Sequence, residues 1–66
     1  MSSFLPMNRA RLLLAADVLE RDAREQFATW LERGETYRFG DALAFALKLR
    51  AAAALPTVAA RRAFLS

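Results

Sequence analysis

The sequence contains no cysteine and no histidine. The missing cysteines exclude the disulfides that often stabilise small domains, and the missing histidines exclude the common zinc ligand sets. Only two glycines occur in 66 residues, and they form no phosphate-binding loop. Because so short a chain buries a smaller fraction of its surface than a typical domain, its stability must come from well-packed helices or from association.

Long apolar runs are also missing. The longest uninterrupted one, residues 42–47, is far shorter than the roughly 20 residues that cross a bilayer. The apolar stretch 12–16 is too short for the core of a secretion signal, and Asp17 closes it. We therefore expect no transmembrane segment and a cytoplasmic location.

Alanine occurs fifteen times, and β-branched residues are rare. This composition favours helix over strand. The sequence predicts one small all-α domain over residues 1–66, with an extended lead-in at 1–7. It consists of a long helical hairpin, at about 9–33 and 40–55, and a short third helix at the C-terminal end.

Local signals set these boundaries. Asn8 is a good N-cap for the first helix, and Gly34 supplies its C′ position. The second helix should begin between Thr36 and Asp41, because Gly40 weakens a longer one. Pro56 pushes the residue before it out of the α region and ends that helix. Thr57 then caps the third.

The first helix carries more apolar surface than one hairpin can cover. Its main stripe, expected in the core, is Leu12, Ala16, Leu19, Ala23, Phe27 and Trp30. Leu13, Leu14 and Val18 lie off this stripe, and Phe45 and Leu49 give the second helix a similar excess. We assign these five side chains to a partner-binding surface. The alternative is that the third helix and residues 4–7 cover them.

The predicted turn between the long helices brings together Tyr37, Arg38 and Trp30. Tyrosine, arginine and tryptophan are the residue types most enriched in binding hot spots, so these three join the predicted partner-binding set. The alternative is that Tyr37 and Phe39 only close the end of the hairpin against Trp30 and Leu31.

Charge is unevenly distributed along the chain. Both ends are basic, whereas residues 17–35 hold six acids against three arginines. Such a pattern can steer a partner or guide self-association. We assign exposed electrostatic contacts to Arg9, Arg11, Arg61 and Arg62.

The one cluster of carboxylates in the sequence does not indicate a catalytic site. Asp17, Glu20, Asp22 and Glu25 alternate with arginines, as on a solvated helix face. Without histidine or a predicted pocket, there is no reason for a perturbed pKa. We expect no enzyme activity, no metal and no cofactor.

These observations favour a small protein-interaction module: an accessory subunit, adaptor or inhibitor that buries an apolar helical face against another protein or a copy of itself. The alternative is a basic nucleic-acid-binding protein. Residues 44–65 resemble a helix-turn-helix in outline, but no glycine lies in the inter-helix turn. In that alternative, the phosphate contacts would be Arg38, Arg50, Arg61 and Arg62.

Overall fold

The computed structural model describes residues 7–66, so the predicted lead-in lies, apart from Met7, outside the described residues. Three helices follow one another: α1 (Arg9–Arg33), α2 (Tyr37–Ala53) and α3 (Val58–Leu65). Residues 7–66 contain no strand. The predicted all-α hairpin with a short third helix is confirmed.

The predicted caps form as hydrogen bonds. The Asn8 Oδ1 atom accepts from the backbone N–H of Arg11 at 3.3 Å, and the Thr57 Oγ1 atom accepts from that of Ala60 at 3.0 Å. Gly34 has φ of 70°, in the left-handed region where glycine avoids the Cβ clash of other residues. Signals within a few residues therefore set the start and end of α1 and the start of α3.

The second helix begins at Tyr37, inside the predicted interval from Thr36 to Asp41 but before residue 40, and it ends at Ala53 rather than near 55. Thr36 already has helical backbone angles and makes no side-chain cap. The N–H groups of Arg38 and Phe39 instead donate to the carbonyls of Glu35 and Thr36, both at 3.0 Å. Because the turn itself satisfies these donors, α2 can start before Gly40.

The core lies between α1 and α2, towards the end of the hairpin away from the turn. Its buried members are Leu12, Ala16, Ala46, Leu49, Ala52 and Ala53. Four of the six are alanine, and such small side chains let two helices pack closely. Leu12 and Leu49 are the large, fully buried side chains, and Leu65 of α3 packs against this cluster.

The shape of the molecule follows from α1. Twenty-five residues of helix are about 37 Å long, close to the 41 Å long axis, and the other two axes are 20 Å each. Within residues 7–66, α3 packs against α2 and not against α1. The third helix therefore does not cover α1.

Near the turn, the predicted core stripe is only partly buried. Phe27 was expected inside but is 38% exposed. Its ring meets that of Phe39 edge to face, with centroids 4.9 Å apart. The C-terminal end of the chain lies at the other end of the hairpin, where Arg61 bonds to the backbone of Met7. Because only two helices pack near the turn, the edge of the stripe stays in water.

Candidate functional site

One flank of the hairpin holds an open, largely apolar groove of about 630 Å³, which we call the α1/α2 groove. It is lined by Arg11, Leu14, Ala15, Val18, Leu19 and Asp22 of α1, and by Phe45 and Leu49 of α2.

Helical periodicity explains why these side chains meet. On α1, residues 11, 14, 15, 18, 19 and 22 recur every three or four positions and so form one stripe. Phe45 and Leu49 are four residues apart and share a face of α2. The hairpin lays these two faces side by side, and they become the walls of one trough.

The walls of the groove are exposed, whereas its floor is not. Leu14 is 62% exposed, Phe45 43% and Val18 36%. Leu19 is half-buried and packs against the core, and Leu49 is 2% exposed. The groove is therefore an apolar surface that a second molecule could bury.

Arg11 and Asp22 add opposite charges at the two ends of the groove. They are eleven residues apart on α1, or about 16 Å at 1.5 Å per residue. Both are exposed, and within residues 7–66 neither forms an ion pair. The groove therefore has a positive end, near the start of α1, and a negative end.

The opposite flank of the hairpin is closed by Arg50. Its Nη2 atom donates to Oδ1 of Asp17 at 2.8 Å and to Oε1 of Glu20. Hydrogen bonding to Glu20, and then to Asp17, raises the pKa of Arg50 above its ordinary value. This bridge links α2 to the acids of α1, so those acids do not only face solvent as their pattern indicated.

The structure places the predicted partner-binding residues in different surroundings. Leu14, Val18 and Phe45 come together in the α1/α2 groove with Arg11. Leu49 was assigned to a partner surface, but it packs in the core because its side of α2 faces α1. Leu13 is half-buried, packs against the core and lies outside the groove lining.

The predicted turn cluster is separate from the groove. Tyr37 is 61% exposed, and the Arg38 guanidinium carbon lies 5.8 Å from the centre of its ring. Arg38 also forms an ion pair with Glu35 at 3.0 Å. Trp30 is half-buried. These residues belong to the turn end of the hairpin and do not line the groove.

The arginines at the two ends of the chain also differ from one another. Arg9 and Arg62 are exposed, as expected. Arg61 is not: its Nη1 donates to the Met7 carbonyl at 2.8 Å and its Nε to the Leu55 carbonyl at 3.0 Å. Arg61 therefore links α3 to the residue before the N-cap of α1 and to the turn after α2.

These contacts bear on the nucleic-acid alternative. Of the four arginines assigned to phosphates, Arg38, Arg50 and Arg61 already have intramolecular partners. Arg62 remains exposed. A phosphate would have to compete with a carboxylate or a backbone carbonyl for each of the other three.

Sequence reasoning missed three groove residues. Ala15 was not singled out, Leu19 was assigned to the core, and Asp22 was assigned to a solvated acidic face. The signal that could have found them is the repeat at residues 11, 14, 15, 18 and 22, which is rotated around α1 from the core stripe.

Residues 7–66 hold no group of three metal-ligating side chains. No helix within that range is long and apolar enough to cross a membrane. Comparison with known proteins found no matching protein family, no matching curated protein and no matching solved structure.

Proposed function

We propose that this chain is a small protein-interaction module, an accessory subunit, adaptor or inhibitor, whose α1/α2 groove receives an amphipathic helix of a protein partner. One observation carries the proposal: Leu14, Val18 and Phe45 come from both long helices, line one groove, and are each more than a third exposed. Contiguous apolar surface of this kind is typical of interaction sites.

The shape of the groove favours a helix as the ligand. The groove runs along about three turns of α1, and two helices side by side form a trough into which the ridges of a third helix pack. Such a ligand would bring apolar anchors at positions i, i+3 or i+4, and i+7. Fully burying a leucine, valine or phenylalanine side chain stabilises a complex by roughly 1.5 to 3 kcal/mol.

The charges at the rim favour one direction for that helix. An acid on the ligand would pair with Arg11 at one end, and a base with Asp22 at the other. Exposed charges of this kind contribute more to orientation and association rate than to affinity. Arg9 and Arg62, which are exposed outside the groove, would act mainly on the association rate. Tyr37 and Arg38 would take part only if a partner extends to the turn.

The test is affinity capture from the source cell with matched variants. The groove variant is Leu14→Glu, and the control is Leu47→Glu, which changes a leucine that is 65% exposed outside the groove lining. We expect wild type and the control to retain the same protein, and the groove variant to lose it. Circular dichroism should show that both variants keep their helices.

A captured protein would then be purified and its affinity measured. We expect Leu14→Glu to weaken binding by at least about tenfold, near 1.4 kcal/mol, and the heat capacity change on binding to be negative, as for apolar burial. Equal affinity for wild type and Leu14→Glu would contradict the proposal. Capture of nucleic acid that falls steeply with rising salt would support the alternative function instead.

A further inference from the structure

We infer that the helix received by the α1/α2 groove is α1 of a second copy of this chain, in an antiparallel dimer with two-fold symmetry. This rests on the proposed function and names the occupant of the same groove. The order of charged, large and small side chains along the α1 wall supports it.

A two-fold dimer needs a surface that matches itself. When two copies of one helix pack antiparallel, every pair of facing residues has residue numbers that add up to the same value. The six groove residues of α1 satisfy this condition as a set. Arg11 would face Asp22, Leu14 would face Leu19, and Ala15 would face Val18 of the second copy.

Charge decides the direction. In the antiparallel arrangement, Arg11 of each copy meets Asp22 of the other, so two opposite-charge pairs form at the ends of the interface. A parallel arrangement in register would set Arg11 against Arg11 and Asp22 against Asp22. The first turn of α1 contains no acid, and the helix macrodipole disfavours the positive charge of Arg11 there. An aspartate from the second copy would offset that cost.

Side-chain size agrees with the same pairing. Ala15 opposite Val18 sets a small side chain against a larger one, which suits interdigitated packing. Phe45 stands on the α2 wall and would cover the edge of the second α1. The two copies of α1 would overlap from Arg9 to Arg24, so Arg33 and the turn would lie outside the interface.

The experiment is a sedimentation series on the full chain at increasing concentration. The variants are Arg11→Asp, Asp22→Arg, the double exchange carrying both, and an equimolar mixture of the two single variants. Arg33→Asp is the matched control, because it makes the same charge change on the same helix outside the overlap. Circular dichroism checks that each variant remains helical.

We expect wild type and Arg33→Asp to dimerise with similar dissociation constants. Each single exchange places like charges at both ends and should weaken the dimer by at least about tenfold. The double exchange should restore it, because each charge again meets its opposite. The mixture should form a heterodimer for the same reason. A parallel pair of the two single variants would also set opposite charges together, so restoration of the homodimer by the double exchange is the result that only the antiparallel pairing predicts.

The outcomes separate this inference from the proposed function. If wild type stays monomeric while Leu14→Glu abolishes capture of another protein, the second-copy inference is overturned and the interaction-module proposal stands. The antiparallel pairing is overturned if neither single exchange weakens the dimer. It is also overturned if dimerisation does not return in the double exchange and in the mixture. If the chain dimerises, Leu14→Glu leaves the dimer intact and no captured protein depends on Leu14, the groove is not an interface and both proposals fail.

Discussion

On one flank of the hairpin, Arg50 reaches from α2 to Asp17 and Glu20 of α1. On the other flank, Leu14 and Phe45 remain 62% and 43% exposed. A long side chain with a charged end can span two helices and find partners on the far side. Leu14 and Phe45 have shorter apolar side chains, which cannot span the two helices. Only a third element packed on this flank would bury them. A two-helix hairpin can therefore close one flank by itself while apolar side chains on the other flank stay exposed.

The largest expected effect separates the core from the open flank of the same helix. Leu12→Ala removes a fully buried side chain and should lower the free energy of unfolding by about 2 to 5 kcal/mol. Leu14→Ala, two residues on, should cost less than about 1 kcal/mol because Leu14 is mostly exposed. Urea unfolding at concentrations where the chain is monomeric measures both. Equal losses would mean that Leu14 is part of the core.

The next contrast is between two adjacent arginines of α3. Arg61 bonds to backbone carbonyls outside α3, whereas Arg62 is exposed. Arg61→Gln removes two charged hydrogen bonds to backbone carbonyls and should cost about 1.5 to 3 kcal/mol. Arg62→Gln should cost no more than about 0.5 kcal/mol, since Arg62 is exposed. Thermal unfolding followed by circular dichroism compares them. If the two variants melt together, Arg61 does not hold α3 in place.

The two glycines give a contrast between the turn, where Gly34 lies, and the interior of α2, where Gly40 lies. Gly34 has φ of +70°, and a Cβ there would meet nothing within 4 Å, so Gly34→Ala should cost about 1 kcal/mol through backbone strain alone. Gly40 lies inside α2 with equally open surroundings. Gly40→Ala should therefore stabilise the chain by about 0.5 to 1 kcal/mol. Chemical unfolding measures both, and effects of the same sign would contradict the assigned turn.

The smallest expected effect is that of the Arg50 bridge on the closed flank. Arg50→Gln should lower the melting temperature more than Lys48→Gln, a change at an exposed cation on the same helix. In a Glu20→Gln background, Arg50→Gln should lower the melting temperature by less, because Glu20→Gln has already removed one carboxylate partner of Arg50. Added salt should reduce the difference between wild type and Arg50→Gln by screening the charges. A loss that Glu20→Gln leaves unchanged would show that Arg50 acts through packing.

The pH dependence of the Arg50 bridge has a definite sign. Because the folded-state pKa of Arg50 is raised, its contribution to stability is fully present below the ordinary pKa of the group. It is lost only as the pH rises through the raised value. Between about pH 7 and 10, arginine stays protonated. Between these pH values, the difference in melting temperature between wild type and Arg50→Gln should therefore stay constant.

The sequence alone determined the three helices, both ends of α1 and the start of α3. Asn8, Gly34 and Thr57 act through hydrogen bonds or backbone angles within a few residues, so their effects follow from local physics. The spacing of apolar residues on α1 also predicted Leu12, Ala16 and Ala23 in the core, and an excess at Leu14 and Val18. Those predictions did not depend on how α2 packs against α1.

Only the tertiary structure decided how α2 is rotated about its axis. Both sides of that helix are apolar in sequence, so periodicity alone does not select the side that faces α1. In the folded chain Leu49 is buried and Leu47 is 65% exposed. That rotation also brings Arg50 to Asp17 and places Phe45 in one groove with Val18. Arg61 of α3 bonds to the backbone of Met7. Contacts between residues so far apart in the chain depend on how whole helices pack, which no local pattern encodes.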